Sequence, residues 1–268
     1  MRLPSTVILD WTRTDVLAAE ALAYFTVVAR RMMAIGIQTI ICMPSTKTGY
    51  VAIEGIVRDL VNAGARAVQP ATQFSDTASL LASAASFQLD DSGQQSDFIE
   101  VCGEGIAKSG AEPSVREIAE ALLREALQNA RTHSEATMAA GAGLSFRRRR
   151  PRLVQVGIAD DGIGVARSVL ARGAHTDLRE FADATIALAV VNGTLSGRNA
   201  GHGGGGFSLV LREALESFSA RVTIRTGSAL LRMEGADPTR WRIRHLTRGF
   251  GTQIRFEFPV LASAISKV

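Results

Sequence analysis

The segment that most constrains this chain is the apolar run Leu153–Ala159, which ends on Asp160-Asp161-Gly162-Ile163-Gly164. The run reads as a buried strand. A carboxylate at the end of such a strand has lost its water and needs a hydrogen-bond partner. An ionised carboxylate only accepts, so that partner must be a donor. Gly162 and Gly164 let the backbone turn tightly against a flat surface. Asp-Gly is also a common turn dipeptide, so a strand-ending turn accounts for the same letters.

Two more segments flank this one. Helical spacing predicts a helix over 114–135, with apolar Val115, Ile118, Leu122, Ala126 and Ala130 in one stripe. Glu125, Asn129 and His133 follow each other at i, i+4 and i+8, on one face beside that stripe. An amide oxygen is a good hard ligand for Mg²⁺, which keeps several waters and takes few protein oxygens besides phosphates. A carboxylate one turn away can orient or deprotonate a water or hydroxyl. A solvated polar face is the alternative. Downstream, Gly201-His202-Gly203-Gly204-Gly205-Gly206 runs into Phe207–Leu211. Glycines that open a helix present free N–H groups at its positive end, a natural phosphate site. A flexible linker has the same composition. The cluster lacks the Lys-Ser/Thr of a Walker loop. It is not placed as a dinucleotide fingerprint either, because no buried strand leads directly into it.

The rest of the chain supplies an α/β frame. Thr6–Asp10, Gln38–Met43 and Ala65–Val68 read as strands. They alternate with helices over Val16–Met33, N-capped by Asp15, and over Tyr50–Ala63. Short connections make this a layer with a parallel sheet. Residues 71–112 are less regular, with Ser/Ala-rich helical pieces and a polar tract over 90–97. Gly103, Gly105, Gly110 and Pro113 set a boundary near 105–112, giving units 1–110 and 111–268. In the second unit Pro113 suits the first helical position, and Ser114 with Glu117 could form a capping box. Strands are expected at 144–147, 153–159, 221–226, 241–246 and 252–258, and a helix at 208–217. The glycine-flanked stretch 165–206 reads as a mobile functional loop with a helix inside it.

Composition excludes several classes. With 268 residues, 46% hydrophobic and 21% charged, the chain reads as soluble and globular. It has no apolar run of the ~18 residues a span needs, and no signal peptide is evident. Two isolated cysteines, Cys42 and Cys102, suit inert thiols in a reducing cytoplasm. Residues 1–110 carry 8 Lys/Arg and 11 Asp/Glu; residues 111–268 carry 22 and 15, so the basic half holds the phosphate-type segments.

The order of these motifs resembles the GHKL, or Bergerat-fold, ATPases, which include gyrase and MutL-type enzymes, Hsp90, sensor histidine kinases and anti-sigma serine kinases. The resemblance covers about 112–260. The spacing around Glu125, Asn129 and His133 is nearest the histidine-kinase and anti-sigma branches. The resemblance implies a two-layer α/β domain with a mixed or antiparallel sheet, binding ATP or ADP with Mg²⁺. It makes Asn129 the metal ligand and Glu125 the general base, with His133 beside them. Asp160 would hold the adenine amino group, with Gly162 and Gly164 lining the base. Gly201, Gly203, Gly204, Gly205 and Gly206 would close on the phosphates, and Thr252 would stand on the strand behind the base. Arg198 is either a γ-phosphate contact or a surface charge. Residues 1–110 resemble a STAS domain through the element order and Ile8-Leu9-Asp10, or are an unrelated α/β unit. The STAS phosphoacceptor is missing, since Leu17-Ala18-Ala19-Glu20 stands in its place.

Three functions follow. The first is Mg²⁺-dependent ATP cleavage, with transfer to water or to a protein Ser or Thr in bacterial-type signalling. The second is a non-catalytic, ATP-gated interaction switch. In either case a protein partner would dock through the N-terminal unit, and a homodimer stays open. The third is nucleic-acid binding by Arg147–Arg150 with Arg152, which the lack of interleaved aromatics beyond Phe146 disfavours. Histidine autophosphorylation is disfavoured too, because no histidine precedes residue 112.

Overall fold

A helix caught between two sheets organises the molecule. The computed structural model describes residues 6–11, 18–44, 56–68, 80–146, 152–171, 176–195, 206–235 and 237–260. It is a mixed α/β protein. Strands β1 (Thr6–Asp10), β2 (Gln38–Cys42) and β3 (Arg66–Val68) form a parallel sheet in the order β1-β2-β3. The expected β-branched runs at 6–10 and 38–43 are these strands. Helix α1 (Ala19–Ala34) and helical residues 56–62, α2, pack on this sheet. Leu9, Ile41, Leu22, Ile56 and Leu60 are buried together there.

The second sheet has seven antiparallel strands. Its order is β4 (Leu80–Gln88), β5 (Met138–Phe146), β6 (Arg152–Asp160), β10 (Thr252–Val260), β7 (Arg221–Thr226), β8 (Ala229–Glu234) and β9 (Arg242–His245). Both faces of β6 are covered, which is why Leu153–Ala159 is apolar at every position except Gln155. Val154, Val156 and Ile158 face helices α3 (Ser92–Lys108), α4 (Pro113–His133) and α7 (Gly206–Ser217), together with Phe256 and Phe258 of β10. Ala159 on the opposite face meets Ala23 and Val27 of α1. A Cβ on Gly157 would run into the backbone of Ala19 and Glu20, so the missing side chain lets the start of α1 lie on the sheet. Arg255 Nη1 ties the same face to Glu20 Oε1 at 2.9 Å.

Here the architecture differs from the reading of the sequence. The 111–268 unit was expected as two layers, but α1 from the N-terminal part covers the second face of the large sheet. Residues 80–108, placed before the expected boundary, supply an edge strand and α3 to that sheet. Nine register pairs join β4 to β5, from Leu80↔Phe146 to Gln88↔Met138. Alanine and serine favour helix or turn locally, so β4 reads as helical. Pairing with the equally small residues of β5 overrides that preference. The polar tract over 90–97 instead caps α3, where Asp91 Oδ1 accepts from Gln94 N at 3.0 Å.

Other differences are local. The Ser114–Glu117 capping box does not form, because Pro113 takes the first helical position and Glu112 becomes the N-cap. The α1 N-cap is Ala18, and Asp15 lies outside the described residues. Strand β8 went unread. The 165–206 stretch contains α5 (Val165–Ala171), a 3₁₀ turn (Thr176–Glu180) and α6 (Asp183–Val191) rather than one helix. Among the described residues no helix is long and apolar enough to cross a membrane.

Candidate functional site

Strand alternation gives Asp160 its direction. Val154, Val156 and Ile158 face α4, so Asp160, two residues further, faces it too. On β10 the same parity turns Thr252 and Ile254 to that side, and on β7 it turns Ile224. These residues floor a cavity of about 280 Å³. Its polar wall is α4, through Glu125, Gln128, Asn129 and His133. Its apolar wall is α5 and α6, through Val165, Val169, Ala187, Val190 and Val191. Gly206, Phe207 and Ser208 of α7 close one side.

Asp160 is 6% exposed. Its Oδ1 accepts from Gly162 N at 2.9 Å and from Thr252 N at 3.2 Å. Burial pushes its carboxyl up to about 7, against the lowering effect of those two main-chain donors. Both main-chain donors address Oδ1, the Thr252 side chain adds a further lowering contact, and the carboxylate lines the cavity. Asp161 points the other way. Its carboxylate accepts from Thr137 N at 2.9 Å, Met138 N at 3.0 Å and the Thr137 hydroxyl at 3.0 Å, pinning the turn that starts β5. The two adjacent carboxylates therefore divide into one that faces the cavity and one that holds the frame.

The glycines act by letting backbones meet. A Cβ on Gly162 would lie 2.7 Å from Ser134 Cβ at the end of α4. Gly164 has φ +82°, and Val165 N after it donates to Thr226 Oγ1 at 2.8 Å. The Thr226 hydroxyl in turn meets the Thr252 hydroxyl at 3.3 Å. Gly251, at φ +66°, packs against the Asp160 carbonyl, and its N–H donates to Gly162 O at 2.7 Å. The Asp160–Gly164 and Gly249–Thr252 loops are thus knit into one rim.

The predicted residues Glu125, Asn129, His133, Asp160, Gly164, Gly206 and Thr252 all line this one cavity. Gly162 shapes the loop beside it. Glu125 also approaches the start of α7, since a Cβ on Gly206 would lie 2.8 Å from Glu125 Cδ. Arg198, Gly201, Gly203, Gly204 and Gly205 lie outside the described residues, as do His202 and Arg147–Arg150. The reading of the sequence missed Thr226, Ser134, Ser168 and the apolar wall of α5 and α6. Ser168 Oγ donates to the carbonyl of His133, fastening α5 to the end of α4. The nearly continuous apolar stretch Ala184–Val191 was the available signal for the apolar wall.

No protein-family model matches this chain, and no curated protein matches it.

Proposed function

We propose that this cavity binds an adenine nucleotide with Mg²⁺, as a GHKL-type site, and cleaves it. The observation that carries the reading is the joining of Asp160 and the Glu125–Asn129–His133 face in one cavity. The donor set fits the ligand. A flat, amino-bearing base needs an apolar slot with one acceptor, and Ile224, Ile254, Val165 and Val169 with Asp160 supply that. A metal held by Asn129 would take most of its ligands from phosphate and water, the ordinary habit of Mg²⁺. Among the described residues no three His, Cys, Asp or Glu side chains form a metal cage.

The chain's own residues would then act as follows. The Asp160 carboxylate accepts from the amino group of the base, and Thr252 N with Gly162 N holds that carboxylate in place. The Asn129 amide oxygen would hold the metal, whose charge would offset that of the phosphates. Glu125, one turn before it, orients the attacking water or protein hydroxyl and takes its proton. Gly206 presents the first N–H groups of α7 towards the anionic end.

The test is titration calorimetry with ATP and Mg²⁺, joined to an assay that follows a γ-phosphate label. Saturable binding that Asp160→Asn weakens, with release or transfer of label that Glu125→Gln strongly slows, supports the reading. Binding without product leaves a nucleotide-gated switch. No binding of ATP or ADP at millimolar concentration overturns both.

A further inference from the structure

Helix α1 reaches the cavity from behind. Its Arg31 Nη1 donates to the Asp161 carbonyl oxygen at 3.0 Å. That carbonyl belongs to the same peptide group as the Gly162 N–H, which donates to Asp160 Oδ1 at 2.9 Å. A cation on the oxygen end of a peptide polarises its N–H and fixes the plane in which it points. Arg31 also lies over the Phe250 ring, 5.1 Å from its centre, and Tyr24 of α1 packs on the same ring at 5.2 Å. Phe250 stands two residues before Thr252, whose N–H is the second donor to Asp160. One guanidinium thus touches both loops whose main-chain donors meet on Asp160.

We infer that Arg31 is a positioning residue for the nucleotide site, acting from the N-terminal helix through the Asp161–Gly162 peptide and Phe250 on the carboxylate of Asp160. This rests on the nucleotide reading for its biological meaning but not for its physical content. The same helix covers the β1–β3 sheet through Leu22 and Ala29, so α1 is a continuous packed link from the N-terminal layer to the base end of the cavity.

Arg30, its neighbour, provides the control. It carries the same charge on the same helix, but Arg30 Nε donates to Ser86 Oγ at 3.0 Å and Nη2 lies 3.7 Å from Asp59, away from the cavity. The other titratable groups around Asp160 are Asp161 beside it, turned away but raising its carboxyl through charge, and Glu125 and His133 on the α4 wall of the same cavity. The described lining residues of α5, α6, α7, β7 and β10 add none.

The experiment compares the full chain with Arg31→Ala, Arg31→Lys and Arg30→Ala, using two readouts. The first is the titration midpoint of the Asp160 carboxyl in ligand-free protein, followed by carbon NMR. The second is ATP affinity by calorimetry. Arg31→Ala should raise the midpoint and weaken ATP binding about three- to tenfold, the range for one charge-assisted bond at an exposed side chain. Arg31→Lys should recover part of both, and Arg30→Ala should move neither at matched folding. An unchanged midpoint and affinity in Arg31→Ala overturn the inference while leaving the nucleotide reading intact. Equal effects of Arg30→Ala and Arg31→Ala reduce Arg31 to general packing and also overturn it. A shifted midpoint in a protein that binds no nucleotide keeps the positioning role and removes the nucleotide reading.

Discussion

Asp160 and Thr252 stand 92 residues apart, and the Thr252 N–H donates to Asp160 Oδ1 at 3.2 Å. The bond spans the β6–β10 pair at its end, where Gln253 is registered with Ala159. It joins the last residue of one strand to the first of another, and it is one of the two main-chain bonds that hold a buried carboxylate at the cavity floor.

That carboxylate should make stability depend on pH. The folded group keeps its proton up to about pH 7, whereas its ordinary value is 3.8. A raised folded value means that the contribution is fully present below about pH 4 and is lost as pH rises through about 7. Asp160→Asn removes this dependence and leaves an acceptor for Gly162 and Thr252. Denaturant unfolding from pH 4 to 8 should show the variant gaining on the parent by a few kcal/mol at most, at about 1.4 kcal/mol per unit. A constant difference across that range would place the titration elsewhere.

The same substitution should weaken ATP binding. Asn offers a donor where the base amino group needs an acceptor, so one good bond becomes a clash of donors. A loss of about 10- to 100-fold in calorimetric affinity is expected. In the parent, binding should weaken as pH falls through about 7, since the amino donor favours the ionised carboxylate.

Glu125→Gln should separate binding from turnover. The amide keeps the size and the polar contact but cannot take a proton. ATP affinity should stay within about threefold while kcat falls at least about 100-fold. Steady-state assays with Mg²⁺-ATP at saturation decide this. An unchanged kcat would assign the proton acceptor to another group.

Gly251→Ala should damage the rim. The added Cβ meets the Asp160 carbonyl, which is backbone and cannot swing aside, and φ +66° disfavours any L side chain. A loss of about 1–3 kcal/mol in denaturant unfolding is expected, with weaker nucleotide binding. A neutral result would mean that the Asp160 and Gly251 strand ends move apart freely.

Asp183 anchors the apolar wall. Burial alone would raise its carboxyl. The Ser228 N–H and hydroxyl, each at 2.9 Å, and Arg248 at 3.3 Å outweigh burial and hold it below the usual range. A lowered folded value gives stability that is present above the unfolded value and lost as pH falls through the folded one. Asp183→Ala should cost about 1–2 kcal/mol at pH 7, and the difference should narrow below about pH 4. Thermal melts at pH 7 and 3.5 measure it.

Some of this was legible because it is local. The i, i+4, i+8 spacing of Glu125, Asn129 and His133 fixes their common face whatever surrounds the helix, and the structure keeps all three on the cavity wall. The apolar run of β6 predicts burial of its last carboxylate. Other features were illegible for an equally physical reason. The strand character of Leu80–Gln88 comes from pairing with β5, the reach of Arg31 from a helix laid across Gly157, and the Thr226–Thr252 contact from two strands brought side by side. None of these has a period or a neighbour in the sequence to announce it.

The sequence by itself determined which side chains share a helix face and which carboxylate ends a buried strand, because periodicity and local sterics act within a few residues. Tertiary structure alone decided that the Thr252 main chain supplies a donor to Asp160 and that α1 braces both loops from behind. Those outcomes depend on contacts between segments more than 90 residues apart, such as Asp160 with Thr252 and Arg31 with Asp161.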